Sequence, residues 1–263
     1  MMLENKFSEF RNLHQQELPL VLVNIWDAGS ALVVQGNGAQ ALATSSASLA
    51  WSNGYSDGGD LPLDTLKNSV SNILRVSKVP LSIDLENGYS DSPYKVAMLV
   101  KNLVDNGVSG INIEDGETSP ELLVEKITAI REFCGKNSVF INARTDVYLR
   151  GLVSQENRVK ESIRRLEKYL SSGTNGVFVP GVTSLDDMSV LSNSIPAPLN
   201  IMVSSDVGSF KEFFNVGVAR ISLGPATFID SYSKLSEISR ASLKAKNSLS
   251  LSYDTLNSMS NGK

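Results

Sequence analysis

The chain has 263 residues, 41% hydrophobic and 20% charged, enough to bury a sizeable core without staples and unlike the composition of a disordered chain. Lys and Arg number 24 against 28 Asp and Glu, a net charge of −4 with no basic stripe, which speaks against a nucleic-acid partner. A single cysteine, Cys134, and a single histidine, His14, exclude an intrachain disulfide, a cysteine zinc site and a two-histidine metal site within the chain.

The N-terminal stretch carries Glu4, Lys6, Glu9, Arg11 and Glu17 and no apolar segment of signal-peptide type. Runs such as 19–25 fall far short of the ~20 apolar residues of a membrane span. The expectation is a cytoplasmic protein in a reducing compartment, with no membrane partner.

Short apolar runs predict strands at 20–25, 41–44, 81–84, 110–114, 140–143, 176–179, 199–203 and 220–223. Between them, 63–76, 94–106, 120–134 and 157–171 show the 3.6-residue period of helices. Ser119-Pro120-Glu121 reads as an N-cap, an N1 proline and an acidic first turn. Asn106-Gly107 and Ser172-Gly173 read as helix stops. Apolar strands alternating with helices predict a parallel sheet covered on both faces. Eight such units in this length predict a single-domain α/β fold, a (β/α)8 TIM barrel over 1–245, with an open doubly wound sheet as the competitor. The Ser/Asn-rich stretch 246–263 reads as a C-terminal tail or helix end. Gly36-Asn37-Gly38-Ala39-Gln40-Ala41 matches G-x-G-x-x-A, but it follows a helical stretch and enters a strand, the reverse of a dinucleotide fingerprint.

In such a barrel the active site lies at the C-terminal ends of the strands. Strand 81–84 runs into Asp84-Leu85-Glu86, where alternation places Asp84 and Glu86 on one side. Strand 110–114 ends with Asn112 and Glu114 on one face, and the next strand with Asn142 and Arg144. Asp57 stands in the loop 54–59. Carboxylates converging on one mouth repel each other unless their pKa values rise or a cation sits among them. Oxygen donors without His or Cys suit Mg²⁺ or Mn²⁺. Because Mg²⁺ keeps several waters, Asp84 is the expected direct ligand, with Asp57, Glu86 and Glu114 holding its waters. The competing reading has these acids capping loops and pairing with Arg or Lys. Arg144 predicts an anionic substrate, a small carboxylate matched by the guanidinium fork; its competing role is an ion pair with Asp146 or Glu114. The small polar turn 44–48 could present successive N–H groups to a carboxylate.

Together with Asn24-Ile25-Trp26-Asp27-Ala28-Gly29-Ser30, Gly54-Tyr55-Ser56-Asp57, Asn87-Gly88-Tyr89, Ile113-Glu114-Asp115, Asn142-Ala143-Arg144-Thr145-Asp146, Val179-Pro180-Gly181 and Ser222-Leu223-Gly224-Pro225, these segments resemble the isocitrate lyase/phosphoenolpyruvate mutase superfamily. The resemblance runs in order from about residue 10 to residue 228. It implies a (β/α)8 barrel that binds Mg²⁺ and a 2-oxo acid and makes or breaks a C–C or P–C bond beside a carboxylate. It implies Asp84 as metal ligand, Asp57, Glu86 and Glu114 acting through waters, and Arg144 with Trp26 and the turn Ser46-Ala47-Ser48 holding the substrate. Arg144, Glu114 and Asp57 are the implied catalytic set. A homodimer or homotetramer with its last helix exchanged between subunits is also implied.

One departure narrows the chemistry. Lyases of this superfamily carry Lys-Lys-Cys-Gly-His in a long loop after this strand, with Cys as general acid. Here Glu114-Asp115-Gly116-Glu117-Thr118-Ser119 leads straight into a helix, and Cys134 lies at that helix's far end. Decarboxylation of an oxaloacetate-like acid needs no placed acid, because water can protonate the product, whereas cleavage of an isocitrate-like acid does. The expectation is therefore a C–C lyase or decarboxylase acting on a small 2-oxo or 2-hydroxy carboxylate. A carboxylate-binding barrel without turnover, or P–C chemistry, is the alternative. Tyr55 and Tyr89 are the candidate proton donors near the mouth.

Overall fold

The apolar runs fold as strands joined in parallel pairs. The computed structural model describes residues 2–203, 210–245 and 249–260, with side chains from residue 6 onward. Its strands are β1 (Leu20–Leu22), β2 (Asn24–Ile25), β3 (Leu42–Thr44), β4 (Leu81–Asp84), β5 (Gly110–Glu114), β6 (Phe140–Arg144), β7 (Gly176–Val179), β8 (Leu199–Met202) and β9 (Val218–Ser222). The expected strand at 20–25 is interrupted at Val23. Its first part pairs with β9 and its second with β3, so one run joins the first and last strands of the sheet. The sheet curls into a (β/α)8 barrel rather than the open alternative.

The helices are α1 (Met2–Asn12), α2 (Ala28–Gly36), α3 (Ser46–Ser52), α4 (Leu63–Val76), α5 (Pro93–Asp105), α6 (Pro120–Cys134), α7 (Arg158–Ser171), α8 (Leu185–Ser194), α9 (Phe210–Asn215), α10 (Ala226–Leu243) and α11 (Tyr253–Ser260). Each barrel helix buries an apolar stripe. Leu66, Val70 and Ile73 of α4, and Leu123, Ile127 and Ile130 of α6, recur every three or four residues and are buried. Ser119 caps α6 by accepting from the Glu121 N–H at 3.1 Å, with Pro120 in the first turn. Gly107 and Gly173 follow α5 and α7 at φ 109° and 107°, where a Cβ would be strained. Gly36 closes α2, so the G-x-G-x-x-A segment is a helix end, as its context predicts. Among the described residues no helix is long and apolar enough to cross a membrane.

The N-terminal end of the barrel is plugged. Phe7, Phe10 and Leu13 pack with Leu22, Ala43 and Phe140. His14 stacks on Phe140, with ring centroids 4.2 Å apart and planes 10° apart, and its Nδ1 lies 2.9 Å from the Phe10 carbonyl. Phe10 seats over Gly110, where a Cβ would meet its ring at 2.5 Å. Of the expected C-terminal tail, 246–248 and 261–263 lie outside the described residues, but α11 packs on the chain's own α3. Leu256 is buried there beside Trp51, Ala47 and Phe228. This plug leaves the other barrel mouth as the place for chemistry.

Candidate active site

β4, β5 and β6 run side by side, pairing Asp84 with Asn112 and Glu114 with Arg144. Parallel register therefore brings the strand-end groups to one level. A cavity of about 390 Å³ opens there. Asp57, Asp84, Glu86, Glu114, Arg144, Ser46 and Ala47 all line it. The predicted convergence of carboxylates and one guanidinium is thus present.

How Glu86 gets there differs from the expectation. β4 ends at Asp84, and Glu86 has φ 51°, the left-handed region, so strand alternation does not aim it. A tight turn does: the Gly88 N–H bonds the Leu85 carbonyl at 2.7 Å, and the Glu86 carbonyl accepts from the Glu114 N–H at 2.9 Å. Holding a non-glycine residue in this conformation costs about 1–3 kcal/mol, which the surrounding structure must supply.

Arg144 makes the ion pairs of its competing reading, with both Asp146 and Glu114, and still lines the cavity. Its Nε and Nη2 bond the two carboxylate oxygens of Asp146 at 2.6 and 3.1 Å, and its Nη1 lies 2.8 Å from Glu114 Oε2. Asp146 is fully buried and also bonds Arg150 Nε at 2.9 Å. The pairing fixes the guanidinium while leaving it on the cavity wall. Burial alone would lower its pKa, but Glu114, Asp146 and Asp84 together raise it, so the cation is held firmly. Burial pushes Glu114 above the usual carboxylate range against the pull of Arg144. Burial, then the Asp57 charge, pushes Glu86 up to about 7. Asp57 is raised too, burial outweighing the Tyr253 hydroxyl that bonds it.

In all three carboxyls, burial is the largest cause, and the neighbouring carboxylates add to it. Asp84 Oδ2 accepts from the Ser46 N–H at 3.3 Å, but Asp84 Oδ1 and Asp57 Oδ1 are buried with no hydrogen-bond partner. Buried carboxylate oxygens without donors fit a hard cation with oxygen ligands. Among the described residues no three Asp, Glu, His or Cys side chains gather closely enough to hold an ion by themselves.

Some predicted residues stand elsewhere. Ser48 is fully buried, does not line the cavity, and its N–H bonds Ser45 Oγ at 3.4 Å as part of the α3 cap. With the Ser46 N–H committed to Asp84, the turn does not present the expected row of open amides. Trp26 lies outside the cavity too. It packs edge-on against Phe228 at 5.0 Å and lines a separate depression between α2 and α10. The helix start that follows explains its motif differently: Asp27 caps α2, accepting from the Ser30 N–H at 2.7 Å. Neither Tyr55 nor Tyr89 lines the cavity. Tyr55 packs on the core, and the Tyr89 hydroxyl donates to Glu86 Oε1 at 3.0 Å.

Others went unforeseen. Tyr253 lines the cavity from α11 and donates to Asp57 Oδ2 at 2.7 Å. Asp115, next to Glu114, is fully buried and accepts from Thr145 Oγ1, the Asp146 N–H, Arg165 Nη1 and the Tyr169 hydroxyl at 2.6–2.9 Å. Arg220 is a cation inside the barrel, bonded through Nη2 to Asn112 Oδ1 at 3.2 Å. An arginine within the apolar run of β9 is the signal that could have found it. Cys134 is half-buried at the end of α6, away from the cavity lining.

The profile of the phosphoenolpyruvate phosphomutase family matches residues 10–243. The chain belongs to that family. It sits in the isocitrate lyase/phosphoenolpyruvate mutase superfamily, whose members include lyases and mutases. It is 34% identical to the uncharacterized protein Rv1998c of Mycobacterium tuberculosis H37Rv, covering 83% of each chain. It is 28% identical to 2-methylisocitrate lyase of Escherichia coli K12, over 76% of this chain and 70% of that one. A crystal structure of a proposed phosphonomutase from Burkholderia cenocepacia J2315 superposes with a TM-score of 0.86 at 35% identity, covering 90% of this chain and 99% of the other. Lyases and mutases among these relatives support an enzyme of this superfamily.

Proposed function

We propose that this member of the superfamily is a Mg²⁺- or Mn²⁺-dependent C–C lyase or decarboxylase acting on a small 2-oxo or 2-hydroxy carboxylate. The carrying observation is the single cavity that gathers Asp84, Asp57, Glu86, Glu114 and Arg144, with two buried carboxylate oxygens lacking donors. Asp84 would hold the ion, and Asp57, Glu86 and Glu114 its waters. When bound, such an ion withdraws electrons from a chelating carbonyl and stabilises the negative charge left by a broken neighbouring bond.

The chain's own groups do the rest. Arg144, clamped by Asp146, offers a fixed positive charge to a substrate carboxylate without reorganising. Leu149, Phe178 and Met202 contribute apolar wall, which limits the water around the bound acid. Residues 115–119 do not line the cavity, and no cysteine does, so the proton that completes the reaction comes from water, a wall carboxyl or a wall hydroxyl. That favours decarboxylation over cleavage reactions that release a second carbanion. The 2-methylisocitrate lyase and the Pseudomonas savastanoi oxaloacetate decarboxylase among its relatives support C–C chemistry. The likeness to the Burkholderia protein supports P–C chemistry as a second reading, tested by phosphate release from phosphonopyruvate.

Assembly with further copies belongs to the same proposal. Leu235, Ile238 and Leu243 of α10 stand exposed along one helix, a surface suited to a second subunit.

The test combines binding and turnover. Oxalate with Mg²⁺ should raise the melting temperature of the parent and leave that of Asp84→Ala unmoved. Mass spectrometry over a panel of 2-oxo and 2-hydroxy dicarboxylates should then find a cleaved or decarboxylated product. Oxalate binding with no product from any acid would replace catalysis with carboxylate binding.

A further inference from the structure

The outer wall of the cavity comes partly from the C-terminus. Tyr253 opens α11, and Asn257 follows one turn later, so both stand on one helix face. The Tyr253 hydroxyl donates to Asp57 Oδ2 at 2.7 Å. Asn257 Oδ1 accepts from the Asp57 N–H at 2.7 Å and from Trp51 Nε1 at 3.2 Å. The Asn257 carbonyl accepts from Ser56 Oγ at 3.3 Å. The Tyr253 ring meets Trp51 edge-on at 5.3 Å, and Leu256 is buried in the same cluster.

This face grips Asp57 by both backbone and side chain. Asp57 needs it, because its loop contains Gly54, Gly58 and Gly59 at φ 77°, 103° and 94°, residues with little preference for one conformation. With Oδ2 committed to Tyr253, the remaining oxygen is Oδ1, buried and without a partner.

We propose that Tyr253 is a positioning residue: its hydroxyl orients the Asp57 carboxylate so that Oδ1 is presented to the divalent ion and its waters, and α11 is the element that carries it. Both ends of the chain segment 57–253 thus meet at the site, and the C-terminal helix is part of the active site rather than a tail. This rests on the metal reading given under the proposed function.

The test is a Mn²⁺ titration of the full-length protein followed by electron paramagnetic resonance, with and without oxalate, which reads the ion and needs no turnover. Tyr253→Phe keeps the ring on Trp51 and removes only the hydroxyl, so its melting temperature without ligand should stay within about 2 °C of the parent. Its Mn²⁺ dissociation constant should rise about tenfold, the scale of one lost hydrogen bond to a charged group. Asn257→Ala, which frees the Asp57 backbone but keeps the hydroxyl, should weaken binding in the same direction and carries the test if Tyr253→Phe does not fold. Asp84→Ala should lose the ion. Mn²⁺ binding by Tyr253→Phe within about twofold of the parent, with Asp84→Ala still inactive in binding, overturns the role of Tyr253 alone. A parent that binds no Mn²⁺ overturns the metal reading and this one with it.

Discussion

Acid should destabilise this protein through His14, by an amount the structure sets. His14 is buried against Phe10 and Phe140, and its Nε2 has no hydrogen-bond partner. Burial, aided by the Arg220 guanidinium, lowers its pKa from 6.5 to about 3. The unfolded chain takes up the proton as pH falls through 6.5, whereas the folded chain holds out until about 3. Unfolding therefore binds a proton throughout that window, and stability is full above 6.5 and declines below it. At about 1.4 kcal/mol per pH unit, the loss is roughly 2–3 kcal/mol by pH 4.5 and roughly 4–5 kcal/mol by pH 3. Other groups titrate in the same range, so the measurement is a difference. Urea unfolding of the parent and of His14→Gln should be followed from pH 7.5 to 4.5. The gap between their unfolding free energies should change by about 1.4 kcal/mol per pH unit below 6, the parent losing more. Parallel curves would refute the buried neutral imidazole and with it the packing of the plug.

Two further outcomes are expected. Asp115→Asn should cost about 1–3 kcal/mol in urea unfolding, because Arg165 keeps Glu161 at 2.7 Å but loses its buried partner, and the Tyr169 hydroxyl loses a charged acceptor; no measurable loss would show the hub to be dispensable. Light scattering should give a mass of two or four chains, and Leu235→Glu with Ile238→Glu should lower it, since both positions are exposed on one side of α10; a parent that runs as a monomer would refute assembly through that face.

Much of the fold was legible because its cause is local and periodic. Apolar runs at strand length and 3.6-residue stripes follow from which faces must leave water, and the strand bounds read from the chain differ from the observed ones by no more than about two residues. Ser119, Pro120, Gly107 and Gly173 act on backbone groups within a few residues of themselves, so their meaning survives without tertiary information. The acids Asp84 and Glu114 and the cation Arg144 were legible for a related reason: a parallel barrel opens at its strand ends, and whatever closes those strands faces the mouth. Ser48 and Trp26 were misplaced because motif membership does not say which way a side chain turns. One is consumed by the α3 cap and the other by an aromatic cluster with α10.

By itself, then, the order of residues determined the alternation of strands and helices, the level at which charged groups emerge, and the absence of a cysteine or histidine pair for catalysis. Only the tertiary structure decided which of those charges find partners. Tyr253 and Asp57 are 196 residues apart, and no pattern along the chain links them. Glu86 reaches the cavity through a left-handed turn rather than strand alternation, and Arg144 is clamped by Asp146 and Glu114 at once. The physical reason is range. Periodicity and capping are fixed by neighbours in sequence, whereas desolvation and charge pairing depend on everything that closes around a group when the barrel forms.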